Sequence, residues 1–385
     1  MPSNHRQWFS HENSVGAADT IEVRQRFSVR KLAVFLLGVA GLLWAAVGCA
    51  TAPKNAGPKY TFYPPAPDPP RLQYLTSFES EKDLHGGGHD SFITFLTGQA
   101  PVHTPIVKPY GCAAVTNYLY ICDTIGSLLR VDLGAHRIKE IVTKGPAALK
   151  LPLNLAVDGN GWLYVADSLR NQVVILDTNQ NLVGTIGEQG AMEPRDVALT
   201  ADRIYVGDRL NHCVHVLDKI TRTNLFDIPR GPEATNNNSR LFQPINLALD
   251  DQGTLYVGDI GGFRVQVFGA DGKYERTVGQ YGDNYGEFGR LKGVAVDRER
   301  RLYAVDAASQ VAQIFDLTGR LLMWFGEAGA SKYPLALPAK VVIDYDNVGY
   351  FQKYAAPDFA VEYLVIVINQ YGPRKVSVFG FGHKK

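Results

Sequence analysis

The pattern Tyr-x-x-Asp returns five times, at Tyr120/Asp123, Tyr164/Asp167, Tyr205/Asp208, Tyr256/Asp259 and Tyr303/Asp306, with spacings of 44, 41, 51 and 47 residues between the aspartates. A period in the forties with strand-like content points to stacked blades, because no single unit can bury its apolar faces alone. Each copy opens on a short apolar run, such as LAVD at 155–158, VALT at 197–200, LALD at 247–250 or VAVD at 294–297. A tight turn then leads to an alternating strand that ends in the aspartate, as in LYVAD, IYVGD, LYVGD and LYAVD. A third strand follows (QVVILD, CVHVLD, RVQVFG, VAQIFD), then a turn and a fourth (LVGTIG, YERTVG, LLMWFG). Four short antiparallel strands per repeat predict an all-β propeller.

The first copy, PYGCAAVTNYLYICD, aligns without a gap on PRDVALTADRIYVGD, so five blades are clear. A sixth is expected over 337–385. Its hairpin begins with LPAKVVID and is interrupted by NVGYFQKYAAPDF; in the strand EYLVIVINQ, Asn369 takes the aspartate's place. KVSVFGF supplies a third strand, and the fourth is missing there. RLQYLTSFES at 71–80 reads as a fourth strand without a blade. Adding it to the last blade closes the ring and removes open sheet edges. The expectation is a six-bladed propeller over 71–385, with 81–104 as a crossing loop. Composition agrees: 38 glycines, 19 tyrosines, 18 phenylalanines and 3 methionines suit a β core with many tight turns.

The repeat resembles the NHL family, whose pattern runs from a leading proline through a small apolar strand to "YVAD", an Asn/Arg-bearing turn and "VQVF". Residues 105–326 carry it, and FQPINLALDDQGTLYVGDIGGFRVQVFGADGKYERTVG at 242–279 carries it best. The resemblance implies a bacterial six-bladed propeller lipoprotein. It leaves function open, since NHL-type propellers include protein-binding scaffolds, RNA-binding modules and a few lyases and hydrolases.

Upstream of the repeats, Leu32–Val47 form a nearly unbroken apolar run behind Arg24, Arg26, Arg30 and Lys31. A basic region, a short apolar run and small residues are the order of an export signal. The alternative is an uncleaved anchor, but about 20 residues are needed to span a bilayer. AAVGC, ending in Cys49, resembles a bacterial lipobox, which implies lipidation of Cys49 after removal of residues 1–48. The polar stretch 1–28 is long for such a signal, so true initiation is expected nearer Val29. Ala50 after the cysteine implies the outer membrane. Seven prolines between Thr51 and Pro70 predict an extended stalk over 49–70, or else an arm on the domain. Without the signal, the 39 basic and 38 acidic residues become 34 and 35. That balance speaks against nucleic acid as a partner.

One aspartate per blade at a fixed position reads as a structural residue that accepts backbone N–H groups of the following turn; the repeated tyrosines read as packing between blades. Positions just before the innermost strands converge on the channel mouth. Gly111, Asn154, Asp196, Asn246, Gly293 and Lys340 stand there, with Tyr110, Leu153, Arg195, Ile245, Lys292 and Ala339 one position earlier. Asn154, Arg195, Asp196, Asn246, Lys292 and Lys340 are the candidate ligand-binding set. Tyr350, Phe351, Tyr354 and Phe359, on the insertion, are the candidate partner surface, or a cap on the sixth blade.

His85, His89, Asp90 and His103 are of metal-binding types, but the intervening glycines favour an irregular loop. His212 and His215 flank Cys213, with His215 on the same strand face as the cysteine. No metal and no cofactor are expected at either place. A two-residue turn at Thr116–Asn117 pairs Cys112 with Ile121 and turns Cys122 to the opposite face; a turn one residue longer pairs the two cysteines. No catalytic residue is assigned. The leading expectation is a membrane-tethered scaffold that binds a protein or ligand at the cell envelope. The alternatives are a lyase or hydrolase using the channel mouth, or a scaffold subunit of an extracellular electron-transfer complex.

Overall fold

Each Tyr-x-x-Asp ends the second strand of a four-stranded antiparallel sheet. In the first blade the strands are Pro109–Val115, Tyr118–Asp123, Ser127–Asp132 and Arg137–Glu140, paired in chain order. The next four blades repeat that order, with inner strands Pro152–Val157, Pro194–Leu199, Pro244–Leu249 and Leu291–Val296. The computed structural model describes residues 60–85, 94, 96–188, 190–230, 238–327 and 331–385. The readings on Leu32–Val47 and Cys49 lie outside them, as do His89 and Asp90.

The sixth blade is assembled from both halves of the chain. From the axis outward it runs Pro338–Asp344, Phe359–Asn369, Val376–Lys384, Leu72–Phe78 and Thr61–Tyr63. The closing strand pairs antiparallel with the chain's last strand, Leu72 opposite Phe381 and Phe78 opposite Val376. Each of the six inner strands touches the next, and the sixth touches the first, so the ring closes.

The fifth strand takes the arm alternative for residues 60–70, while residues 49–59 of the expected stalk lie outside the described residues. The propeller begins at Tyr60, and the segment to Pro70 is an arm on the sixth blade. The aromatic residues decide this. Tyr63 buries its ring against Phe325 and Phe379 at 5.9 and 6.2 Å and bonds Ser331 at 2.6 Å, while Phe62 lies 5.4 Å from Phe359. The prolines follow immediately, where a residue without an N–H suits a sheet edge.

Between neighbouring blades lies one apolar cluster per interface. Tyr164, Tyr205, Tyr256 and Tyr303 each pack among residues of the following blade. Cys112 sits in the cluster between the sixth and first blades, Cys122 in that between the first and second. Cys112 pairs with Ile121 across the two-residue turn, so both thiols are free and buried, and burial pushes Cys112 up to about 12.

The repeated aspartates are fully buried; Asp123, Asp167, Asp208 and Asp306 each tie two loops together, while Asp259 holds only the loop leading into its blade, through Phe242 and Gln243. Asp167 accepts from the N–H of Lys150 at 2.6 Å and Leu151 at 3.0 Å, in the loop leading into its blade, and from Arg170 at 3.1 Å in the turn after it. Asp123 joins Val107 and Lys108 to Ile125 in the same way, and Asp306 joins Arg290 to Ala308 and Ser309. In the sixth blade Asn369 accepts from Ala336 at 3.1 Å and donates to the Arg374 carbonyl at 2.7 Å. Substituting Asp167→Ala removes the acceptor and strands buried N–H groups. The expected cost is about 3 kcal/mol, read from urea unfolding; a loss under about 0.5 kcal/mol would contradict the role.

Candidate ligand site at the channel mouth

The inner strand of every blade leaves one edge of backbone donors and acceptors facing the axis. Side chains of neighbouring blades satisfy them. Asn154 donates to the Arg195 carbonyl at 2.8 Å. Asp196 accepts from the Leu247 N–H at 2.9 Å and the Asn246 amide at 2.8 Å, and Asn246 in turn accepts from the Val294 N–H at 2.8 Å. Across the ring Lys340 donates to Asp196 at 2.9 Å. Gly111 and Gly293 complete the ring: a Cβ there would lie 2.3 Å from the Leu153 carbonyl oxygen and 2.7 Å from the Lys340 Cα.

Four of the six expected ligand-binding residues are therefore buried structural groups. Asn154, Asp196, Asn246 and Lys340 form a buried polar ring that bonds blade to blade, with the Asn154 Oδ1 atom left without a partner among the described residues. Burial raises the Asp196 pKa; Lys340 and the backbone donors oppose it. On one side of the ring Tyr110, Leu153 and Ala339 pack together on the axis. On the other, the inner strands line a cavity of about 310 Å³ with Ala114, Val157, Leu199, Leu249, Val296 and Ile343.

The remaining two, Arg195 and Lys292, stand on the Tyr110 side. Arg195 pairs with Glu193 at 2.6 Å, and Arg209 binds the same carboxylate. The Lys292 amine lies 5.3 Å from the centre of the Tyr110 ring and meets no carboxylate among the described residues. Burial, then the charges of Arg290 and Arg195, lower its pKa to about 8. Arg290 and Glu193 were invisible to a reading of the inner-strand positions, yet each lies within two residues of one.

The aromatic insertion is not an open surface. Phe351 and Phe359 are buried, and Tyr350 and Tyr354 pack on the cluster between the sixth and first blades. The insertion starts with the helical turn Val348–Phe351, whose phenylalanine faces the seam. The four residues cap the blade. On the third blade, Cys213 and His215 share a face at 3.7 Å, as expected, while His212 is an exposed residue in the left-handed region. His215 donates to Asp227 at 2.7 Å and Asp208 at 3.1 Å; Asp208 above all raises its pKa to about 11.

Sequence reasoning missed a cleft of about 1000 Å³ between the arm and the fifth and sixth blades, lined by Arg71, Glu299, Arg301, Trp324, Glu327 and Glu362 among others. It exists only because Tyr60–Pro70 lie on the propeller.

Together these features define a six-bladed β-propeller with a closed axis and a cationic mouth. No family model matches the chain. Over 99 residues, 26% of this chain, it is 28% identical to Protein brain tumor of Drosophila melanogaster; the match spans 9% of that protein. A gluconolactonase from Xanthomonas campestris shares the fold with a TM-score of 0.52 at 15% identity, over 84% of this chain and 98% of that one. Virginiamycin B lyase from Staphylococcus aureus gives a TM-score of 0.49 at 10% identity, over 72% of this chain and 96% of that one.

The ring makes a sharp prediction. Lys340→Met leaves a buried carboxylate without its cation and is expected to cost about 3–5 kcal/mol. Adding Asp196→Asn should recover much of that loss. Thermal unfolding of the wild type and the two variants checks it; equal destabilisation by the single and double variants would show that charge is not the cause.

Proposed function

We propose that this protein is a bacterial NHL-type propeller lipoprotein, tethered through lipidated Cys49 to the outer membrane, that binds an acidic group of an envelope partner or ligand at its channel mouth. The observation that carries the binding reading is Lys292. Its amine sits half-buried on the Tyr110 ring, in the field of Arg195 and Arg290, with no carboxylate upon it among the described residues. A cluster of cations beside an aromatic ring suits a carboxylate or phosphate. The near balance of basic and acidic residues supports the exclusion of nucleic acid.

A lyase or hydrolase is the second reading, favoured by the Asp196–Lys340 pair on the axis. Against it, the Asp196 Oδ2 atom already accepts from Lys340, Asn246 and Leu247, which leaves it a poor base.

Titration of the full-length protein in detergent with inorganic phosphate and with succinate tests the mouth. Lys292 loses its charge as pH rises through about 8, so affinity is expected to fall between about pH 7 and pH 9. Lys292→Met should weaken binding at least tenfold at the lower pH. Binding that ignores both changes would overturn the mouth as the anion site. Turnover of a lactone by the wild type, lost in Asp196→Asn, would establish the enzyme instead. Separately, Cys49→Ala is expected to remove the acyl mass and release the protein from the membrane fraction; retention with unchanged mass would refute the lipid anchor.

A further inference from the structure

Where the closing strand leaves the sixth blade, the chain gathers histidines that are far apart in sequence. The helical turn Lys82–His85 follows that strand, anchored by Asp83, which accepts from Glu79 and Ser80 at 2.9 and 3.1 Å. His103 arrives on the return path, where Ser80 bridges Pro105 and Glu81 donates its N–H to the Thr104 carbonyl at 3.1 Å. His136 stands in the outer turn of the first blade, in the left-handed region at φ 54°.

We propose that Glu81, His85 and His103, with His136 beside them, form a site for one divalent transition-metal ion of the zinc class that pins the ring closure. Glu81 Oε1 lies 3.8 Å from His85 Nε2 and 4.0 Å from His103 Nδ1, and the ligand atoms of all three residues lie within 4.8 Å of one another. Zn–N and Zn–O bonds of about 2.0–2.2 Å put tetrahedral ligand atoms about 3.3 Å apart. Side-chain rotations that contract the separations by about 0.5–1.5 Å satisfy that geometry.

The rings agree with the atoms. His85 lies 6.1 Å from His103 and 6.0 Å from His136, centre to centre. Two imidazoles on one tetrahedral metal have centres about 5 Å apart; His136 stands beside the set at His85, but its nitrogens lie outside the group that the other three residues form. The carboxylate is held from behind: Glu81 Oε2 accepts from the Ile138 N–H at 2.9 Å, which leaves Oε1 toward the imidazoles. Tyr350 lies 5.7 Å from His136, and its shielded hydroxyl has no partner among the described residues. The set is half-buried, shaded from bulk water yet open to an ion.

A second group of suitable types, Asp208, Cys213 and His215, is already committed. Both nitrogens of His215 are bound to carboxylates, so the ring is held as a cation with no lone pair to offer. It serves as the internal control.

The test is titration of the chelator-treated full-length protein in detergent with Zn²⁺, and with Co²⁺ to read coordination from its visible bands. One equivalent is expected to bind, with tetrahedral cobalt absorption and a zinc-dependent rise in Tm. His85→Gln and His103→Asn keep size and polarity but should each weaken uptake at least tenfold, while His215→Gln leaves it unchanged. Near-UV circular dichroism establishes that each variant is folded. No saturable uptake by the wild type, or uptake that survives both substitutions, or loss of uptake in His215→Gln, would overturn the site; the wild-type titration stands even where a variant fails to fold.

Discussion

A buried carboxylate at the end of each second strand organises the propeller. In four of the five repeats, all but Asp259, it receives the N–H groups of the loop that leads into its own blade and of the turn that leaves the strand. Two backbone segments that belong to no ladder are thus joined at one point, about 1.5–3 kcal/mol for each bond to the charged group. The tight tie fixes where each inner strand begins. That in turn sets how closely neighbouring blades stack and which apolar residues meet between them. Asn369 keeps the geometry without the charge, because it accepts with one atom and donates with the other to Arg374 and Ser377.

Fixing the inner strands creates the second problem. Each presents an unpaired backbone edge to the axis, and an unpaired buried edge is expensive. The structure answers with short side chains reaching from blade to blade, and with glycine where the next backbone is too near for a Cβ. One ion pair, Lys340 to Asp196, crosses the ring and links blades that do not touch in sequence. Such a pair contributes little net stability compared with apolar residues of similar size. Its effect here is positional: it matches the sixth, irregular blade to the third.

These two constraints explain what could be read from the residues alone. The repeat, the sixth blade with its interrupted hairpin, the closing strand and the Cys112–Ile121 register all depend on local pattern, and local pattern was on view. The channel residues were found but their use was not. Asp196 is answered by Asn246, 50 positions away, and Lys340, 144 away; one strand's periodicity cannot tell whether a polar group faces solvent or another blade's backbone. The insertion misled for a related reason. Phe351 looks like a surface aromatic until the seam with the first blade is placed beneath it, and Phe359 until Phe62 of the arm lies against it. Proline density suggested a stalk, while three residues, Thr61–Tyr63, carried enough aromatic surface to lie down as a strand.

Regularity also limits where chemistry can sit. Five blades built on one template present similar residues at similar places, and those residues are consumed in holding the template together. Dissimilar groups converge only where the template breaks. The sixth blade takes strands from both halves of the chain, carries the insertion, and borders the arm that walls the large cleft. The crossing from that blade to the first brings Glu81, His85, His103 and His136 together from three separate segments. A ring closed by non-covalent strand pairing is weakest at its seam, since opening there exposes two sheet edges and one interface at once. Groups able to take a shared ligand at that seam act on the free energy of the whole ring, because every other interface depends on the ring remaining closed.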